Sequence, residues 1–361
     1  PLKLDVGLYK FKSTSLSNIV ITSNQISLNE VTLYTTPTPS PVTWFTWDGT
    51  TATGLSSEGL KQTKLVLPEF TTNIGVNFLS QYNKSSTDYC KVQSIDFSFT
   101  KITQFVYNTK GSFQGCRDLR EIVFPPNLNY IGSYTFSECT SLTSIVLPNT
   151  ITTMYGNIFR GCIALETITL SNLCNSPFGE YNFYGCSSLK NIILNGVKPT
   201  TIGNSTFYNC SNLVNFNIPS TITTIGQYAF NNTGIRTINI PSSMKAIEHG
   251  VFYNCHYLSS VTIPNSVTSI SSYSFYYCDK LTSLFLPNNL QSLGTAAFQL
   301  CTSLTEVTLP NSLTSIGDWV FSNSNSTTPI NPNFVIYVNS TTVENLIKPK
   351  FSGTIINFAR P

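Results

Sequence analysis

The chain has 361 residues, of which 41% are hydrophobic and only 10% charged, and its formal net charge is +3. This weak charge excludes the polybasic surface of a nucleic-acid-binding protein and an acidic tail, so we expect no nucleic-acid partner. No apolar run approaches the roughly 18 residues of a membrane-spanning helix, so we expect no membrane insertion by this chain.

The first 58 residues differ in pattern from the rest. Apolar and polar side chains alternate, as at Leu4, Val6 and Leu8, which is the period of a strand with one buried face. We predict that residues 1–58 form a small β unit that caps the N-terminal end of the following domain. Because the chain opens on Pro1 and not on a methionine, we also expect that a signal peptide was removed or lies outside this sequence.

The chain then repeats itself. A phenylalanine returns every 22–24 residues, and a cysteine follows it three residues later in eight of ten repeats. The phenylalanines are Phe113, Phe136, Phe159, Phe183, Phe207, Phe230, Phe252, Phe275, Phe298 and Phe321. A fixed period of this length is typical of stacked units that bury their apolar faces against one another. We therefore predict one solenoid over residues 59–322, closed by a C-terminal cap over residues 323–361.

Each repeat contains a strand signal and a stop signal. In the repeat that starts at Leu142, Ile145 and Leu147 alternate with outward-facing positions, and Pro148 ends the strand because proline lacks a ladder N–H. Stacking these segments in register predicts a parallel β-sheet on one face. A glycine recurs before the phenylalanine, and we expect it to adopt a positive φ at a corner. These glycines are Gly132, Gly179, Gly203, Gly226, Gly294 and Gly317.

The repeat unit LxxIxLPxxIxxIGxxxFxxCxxL, found from about Leu65 to Phe321, resembles the BspA-like leucine-rich repeat, also called the Treponema-pallidum-type repeat. The fold expected from the pattern and the resemblance is a right-handed leucine-rich-repeat solenoid of about eleven coils, with the small β cap at its N-terminus. The resemblance further implies a surface-exposed or secreted adhesion protein of bacteria or parasitic protists. Such a protein would be extracellular or at the cell surface.

The cysteine column allows two interpretations. Its thiols are either small buried spacers, or they form a disulfide ladder, since rungs about 4.8 Å apart fall within the Cα distance of a bridge. Parallel side chains and the interruption at Thr233 favour buried thiols. We expect Cys90 and Cys174 to lie off the column, and for these two cysteines a disulfide bridge is left as an alternative.

Signals for chemistry are sparse. No glycine-rich phosphate loop, GxSxG or HExxH motif occurs, and the carboxylates are scattered. We predict that the chain is not an enzyme, and we nominate no catalytic residue, cofactor or metal site. His249 and His256 flank Cys255 in one coil, and we interpret them as solvent-facing; a metal site with Cys255 is the alternative.

Two surfaces are candidates for partner binding. The outward face of the predicted sheet is neutral and rich in hydroxyl and amide groups, which suit hydrogen bonding. Its candidate residues are Val146, Thr169, Asn191, Ile193, Asn215, Asn217, Asn239, Thr262, Phe285 and Thr308. The second surface is a tyrosine column that follows the core phenylalanine by one residue and is interrupted at Asn231. Its members are Tyr184, Tyr208, Tyr253 and Tyr276.

The predicted function is that of a non-catalytic adhesion protein whose solenoid face engages a host or microbial protein, such as a surface or matrix protein. The alternative is a carbohydrate-binding module that uses the tyrosine column, because phenol rings have flat apolar faces and a polar tip. The same rings would otherwise stack along the wall and seal the junctions between coils.

Overall fold

The structure is a computed structural model that describes residues 42–82, 90–106, 110–174, 176–324 and 327–358, together with the backbone of two strands within residues 20–27. Its strands are β1 (Val20–Thr22), β2 (Gln25–Ser27), β3 (Phe45–Asp48), β4 (Thr51–Leu55), β5 (Lys64–Val66), β6 (Asn73–Ile74), β7 (Ser94–Asp96), β8 (Gln104–Phe105), β9 (Glu121–Val123), β10 (Tyr130–Ile131), β11 (Ser144–Val146), β12 (Thr153–Met154), β13 (Thr167–Thr169), β14 (Asn191–Ile193), β15 (Thr201–Ile202), β16 (Thr224–Ile225), β17 (Thr237–Asn239), β18 (Ala246–Ile247), β19 (Ser260–Thr262), β20 (Ser269–Ile270), β21 (Ser292–Leu293), β22 (Glu306–Leu309), β23 (Ser315–Ile316), β24 (Val335–Val338) and β25 (Thr354–Asn357). The helix α1 spans Thr341–Ile347, and 3-10 turns lie at Val42–Trp44, Gly59–Lys61, Ser80–Tyr82 and Lys348–Lys350.

The strands from β5 onward form two walls of one solenoid. The long-strand wall contains β5, β7, β9, β11, β13, β14, β17, β19, β22, β24 and β25. Its strands pair in parallel and form four separate sheets along the wall, namely β5-β7-β9, β11-β13-β14, β17-β19 and β22-β24-β25. Two further rungs, at 215–217 and 283–285, continue this wall without strand pairing. The short-strand wall contains β6, β8, β10, β12, β15, β16, β18, β20, β21 and β23.

This architecture confirms the predicted leucine-rich-repeat solenoid with a parallel sheet. In the described residues, the eleven strands and two unpaired rungs of the long-strand wall correspond to about thirteen turns, more than the eleven expected. The phenylalanine count missed turns at the ends of the chain. There the parallel strands continue, but the phenylalanine spacing changes.

The N-terminal strands are antiparallel, as β1 pairs with β2 and β3 pairs with β4. Strand β4 also pairs in parallel with β6, so this hairpin extends the short-strand wall directly. Residues 1–19, 23–24 and 28–41 of the predicted N-terminal cap lie outside the described residues. The domain boundaries at 58 and 322 stay predictions.

The core phenylalanines form one continuous ladder. Successive rings from Phe113 to Phe321 are nearly parallel, with centroids 5.0–5.7 Å apart, and each ring is at most 2% exposed. Backbone hydrogen bonds hold the register, as from Phe159 N to the Asn182 oxygen at 3.0 Å. Since each ring packs on the coil before and the coil after, the ladder joins the repeats into one hydrophobic core.

The prediction that the repeat glycines adopt a positive φ is wrong. A positive φ occurs instead two residues before the phenylalanine, as at Tyr228 (+56°) and Tyr273 (+59°). The glycines instead allow one coil to stack closely on the preceding coil. A Cβ on Gly226 would lie 2.6 Å from the Asn204 backbone nitrogen, and one on Gly294 would overlap the Ser272 backbone nitrogen. Adjacent coils approach so closely here that a side chain has no room.

The cysteine column consists of buried thiols, as expected. From Cys139 onward, the thiol of each column cysteine donates to the phenylalanine carbonyl of the preceding coil, for example Cys162 Sγ to the Phe136 oxygen at 3.0 Å. Burial raises the pKa of the Cys162 thiol to about 12. Thr233 replaces the thiol in its own coil and donates its hydroxyl to the Phe230 oxygen at 3.0 Å.

The expectation that Cys90 lies off this column is wrong. A hydrogen bond with the Cys116 side chain lowers the pKa of the Cys90 thiol, against the opposing effect of burial. The two side chains are therefore neighbours, and Cys90 begins the column. The sequence hides this because only one residue separates Cys90 from the buried Val92, whereas two separate the other column cysteines from their leucines.

The C-terminal end is covered by the last strands and α1. The side chain of Ser340 caps α1 by accepting from Thr342 N at 3.2 Å. Phe334 packs 5.5 Å from Phe321 and 5.9 Å from Phe351, so aromatic contacts continue from the phenylalanine ladder into this end. The core therefore does not stop at the last full repeat.

Candidate functional site

The outward side chains of the long-strand wall form a surface that we call the strand face. Alternation along most of these strands buries the central residue and leaves its neighbours more exposed, as in Ser144–Val146, where only Ile145 is buried. The register places Val146, Thr169 and Ile193 on consecutive rungs of one row, and Asn239 beside Thr262. Of the ten predicted residues of this face, Thr169 is half-buried and the others are exposed.

Three apolar side chains stand out on the strand face. Val146 is 66% exposed, Ile193 is 49% exposed and Phe285 is 80% exposed. Phe285 is the only one of them on an unpaired rung, the segment 283–285. An exposed phenylalanine on a rung without strand pairing marks the place where this face departs most from its neutral, polar surroundings.

A groove of about 500 Å³ lies beside Phe285. The neighbouring rung contributes Glu306 and Thr308, and Asn339 also lines the groove. The groove opens between an unpaired rung and the paired strand β22. The structure thus brings two predicted residues, Phe285 and Thr308, together at one concave feature. It leaves Val146 and Ile193 several rungs away.

The aromatic end of the strand face was missed from the sequence. Register places Thr308, Tyr337 and Ile356 on consecutive rungs, and the Tyr337 and Phe358 rings stack at 5.4 Å with an interplanar angle of 6°. Phe358 is 66% exposed. These residues follow the last phenylalanine repeat, so the repeat pattern does not reach them. The alternation in Val335–Val338 was the available signal.

The tyrosine column lies on a different side of the solenoid. The Arg160 guanidinium lies 4.8 Å from the centroid of the Tyr184 ring, and Tyr184 stacks on Tyr208 at 4.7 Å. Further along, Tyr253 stacks on Tyr276 at 4.6 Å. The four predicted tyrosines therefore form two stacked pairs, each of which spans one coil junction.

Between the two pairs the column has an opening, which we call the tyrosine slot. Backbone hydrogen bonds of 2.9 Å, from Asn209 N to the Asn231 oxygen and from Asn232 N to the Tyr253 oxygen, place Asn231 on the intervening rung. The slot has a volume of about 580 Å³. Its lining residues are Tyr208, Tyr228, Asn231, Tyr253 and Tyr273.

Two lining tyrosines come from outside the predicted column. Tyr228 and Tyr273 lie two residues before their core phenylalanines, and the Tyr228 hydroxyl hydrogen-bonds His249 Nε2 at 2.7 Å. Burial raises the pKa of the Tyr228 hydroxyl, and the nearby Tyr273 and Tyr208 hydroxyls raise it further. The pKa of Tyr253 is raised in the same way, first by burial and then by its tyrosine neighbours. The hydroxyls therefore converge on one region.

The two histidines that flank Cys255 each have a polar partner on another residue. His249 pairs with Tyr228, and His256 Nδ1 lies 3.1 Å from Asp279 Oδ1. Within the described ranges, no group of three or more His, Cys, Asp or Glu side chains could hold a metal ion. The helices of the described chain are all too short or too polar to cross a membrane.

Comparison with known proteins gives a consistent result. The model of the BspA type leucine rich repeat region matches residues 109–236 and 223–348, with six copies. A leucine rich cell surface protein from Faecalibacterium prausnitzii A2-165 is similar in structure, with a TM-score of 0.55 and 20% identity over 90% of this chain and 95% of that protein. Among curated proteins, no match was found.

Two other solved structures align over much of their length. A leucine-rich repeat protein from Bacteroides ovatus ATCC 8483 has 21% identity, covers 87% of this chain and 97% of its own, and gives a TM-score of 0.49. The pneumococcal vaccine antigen PcpA has 16% identity, and the alignment covers 86% of this chain and 95% of PcpA with a TM-score of 0.49.

Proposed function

Because the chain belongs to the BspA-type leucine-rich repeat family, we propose that it is a non-catalytic protein-binding or adhesion protein at the cell surface or outside the cell. The strand face would engage a protein of a host or of another microbe. Leucine-rich repeat proteins bind partners along an extended surface built from equivalent positions of successive coils. The description of the Faecalibacterium relative as a cell surface protein agrees with this placement.

The observation that carries the proposal is Phe285, 80% exposed beside the groove of about 500 Å³. Full burial of a phenylalanine side chain is worth about 1.5–3 kcal/mol, and here most of that free energy is still available to a partner. Aromatic anchors next to a pocket are typical of the residues that dominate binding energy in protein interfaces.

The surroundings of Phe285 suit a protein partner. Thr262 and Thr308 lie on the rungs before and after it and offer hydroxyls, and Tyr337 extends the row with a second aromatic ring. An aromatic centre with a hydrogen-bonding rim is the usual anatomy of a protein interface. Glu306 brings one negative charge to the groove, which would favour a partner with a basic group at its rim.

The test uses the whole chain, immobilised and exposed to purified host matrix and surface proteins, with affinity measured by surface plasmon resonance. Phe285→Ala should weaken binding of the captured protein at least thirtyfold, which corresponds to about 2 kcal/mol. Thr308→Arg, which places a long charged side chain in the groove, should weaken it as well.

Ile163→Ala is the matched control, because Ile163 is 51% exposed but lies in a turn away from the strand face. It should leave the affinity unchanged. Equal affinities for Phe285→Ala, Thr308→Arg and the unmodified chain would show that the strand face near Phe285 is not the binding surface. Turnover of a hydrolysable substrate by the purified chain would contradict the non-catalytic role.

A further inference from the structure

The tyrosine slot lies where the column of stacked tyrosines is interrupted, and Tyr228 lines it from the same coil as Asn231. Neighbouring tyrosines of the column stack at 4.7 and 4.6 Å, while Tyr208 and Tyr253 stand two rungs apart with Asn231 between them. Two rungs correspond to about 9 Å along the solenoid, against the single step that separates stacked rings. In the described residues, Tyr208 therefore has no stacked ring on the side of Asn231, whereas Tyr253 meets the Tyr228 ring edge-on there at 6.1 Å.

The floor of the slot is polar. Asn231 is only 5% exposed, and its side-chain amide makes no hydrogen bond with any residue that the structure describes. Its amide atoms are not among the fully enclosed polar atoms that lack a partner, so they are open to solvent in the slot. The amide offers both donors and an acceptor to whatever occupies the slot.

The chemistry of the lining restricts the occupant. The slot-lining residues are four tyrosines and one asparagine, so no charged side chain forms part of the lining. A flat aromatic ring would stack on the tyrosines but leave the Asn231 amide unpaired. A sugar ring has apolar C–H faces for the tyrosines and hydroxyl groups on its edge for the amide and the phenol oxygens.

We propose that the tyrosine slot binds a neutral pyranose ring of a glycan, packed against Tyr208 and Tyr253 with its hydroxyls paired to the Asn231 amide. Tyr228 and Tyr273 form the sides and offer further hydroxyl groups. The slot volume, about 580 Å³, falls in the range of small-ligand sites and leaves room for a neighbouring sugar unit. This site is independent of the strand face and does not rest on the proposed protein partner.

The first experiment screens the whole chain on an array of neutral oligosaccharides built from pyranose units, and isothermal titration calorimetry then measures the affinity of a bound oligosaccharide. Asn231→Tyr should abolish binding, because the new ring completes the stack and fills the slot. Asn231→Ala keeps the slot open but removes the amide, and should weaken binding about tenfold. Tyr208→Ala and Tyr253→Ala each remove one wall and should also weaken it at least tenfold.

Two controls make the result specific. Tyr257→Ala removes a tyrosine of the same coil as Tyr253 that is 60% exposed and outside the slot, and it should leave the affinity unchanged. Phe285→Ala should not alter sugar binding either, which separates this site from the strand face. Circular dichroism melts establish that each variant is folded, and Asn231→Tyr should melt at or above the temperature of the unmodified chain.

Several outcomes would overturn the proposal. One is an array without any bound neutral glycan. Another is a folded Asn231→Tyr variant that binds sugar as well as the unmodified chain. A third is competition for the slot by an aromatic or prolyl peptide whose binding is unaffected by Asn231→Ala, since that would assign the slot to a protein side chain.

Discussion

Replacing Phe207 by alanine tests the phenylalanine ladder directly. The Phe207 ring is fully buried, and four other rings lie within 5.2–5.5 Å of its centroid. Loss of its transfer free energy accounts for about 1.5–3 kcal/mol. The cavity adds to this because the rungs on both sides are fixed by backbone hydrogen bonds and cannot collapse into the space. We expect a total destabilisation of about 3–5 kcal/mol.

The assay is urea denaturation followed by circular dichroism, with the free energy of unfolding extrapolated to water. Phe285→Ala is the matched control, since it removes the same side chain from a position that is 80% exposed, and it should change the free energy by less than about 0.5 kcal/mol. A loss below about 1 kcal/mol for Phe207→Ala, or equal losses for the two variants, would refute the ladder as the principal core of the solenoid.

Three further predictions concern the coil junctions and the cysteine column. Gly294→Ala should lower the free energy of unfolding by at least about 1–3 kcal/mol, because the Ser272 backbone nitrogen occupies the space of the new Cβ; an unchanged melting temperature would contradict this. Cys162→Thr should cost less than about 1.5 kcal/mol in urea denaturation, since Thr233 already fills one position of the column with its hydroxyl bonded to a phenylalanine carbonyl. Stability should be full below pH 9.0 and fall as the pH rises toward 12, because the folded chain keeps the Cys162 proton that the unfolded chain loses. The slope should be about 1.4 kcal/mol per pH unit for each such thiol, so pH-dependent urea titrations should show a shallower fall for Cys162→Thr, and an identical fall would refute the assignment.

Much of the fold follows from spacing alone. A nearly constant interval between Phe183, Phe207 and Phe230 brings equivalent residues onto adjacent rungs, because each coil must bury its apolar face on its neighbours. Strand alternation then decides which side chains face outward, and the exposure of Val146 and Phe285 follows from it.

Other features depend on contacts between coils that the pattern of one repeat does not contain. The glycine before the phenylalanine suggests a turn, whereas its role is clearance for the backbone of the preceding coil, as at Gly294. Cys90 is offset by one residue in sequence, yet its side chain meets Cys116 because the chain between them still closes one turn.

In the candidate sites too, some features follow from sequence spacing and others depend on contacts between coils. The sequence by itself determined the solenoid, its ladder of phenylalanines and the interruption of the tyrosine column at Asn231, because all three are properties of periodicity. Only the tertiary structure decided that the interruption is an open slot, since Tyr228 and Tyr273 reach it from another column and line it together with Asn231. The groove at Phe285 likewise depends on the loss of strand pairing at one rung, which is a property of neighbouring backbones and of no single repeat.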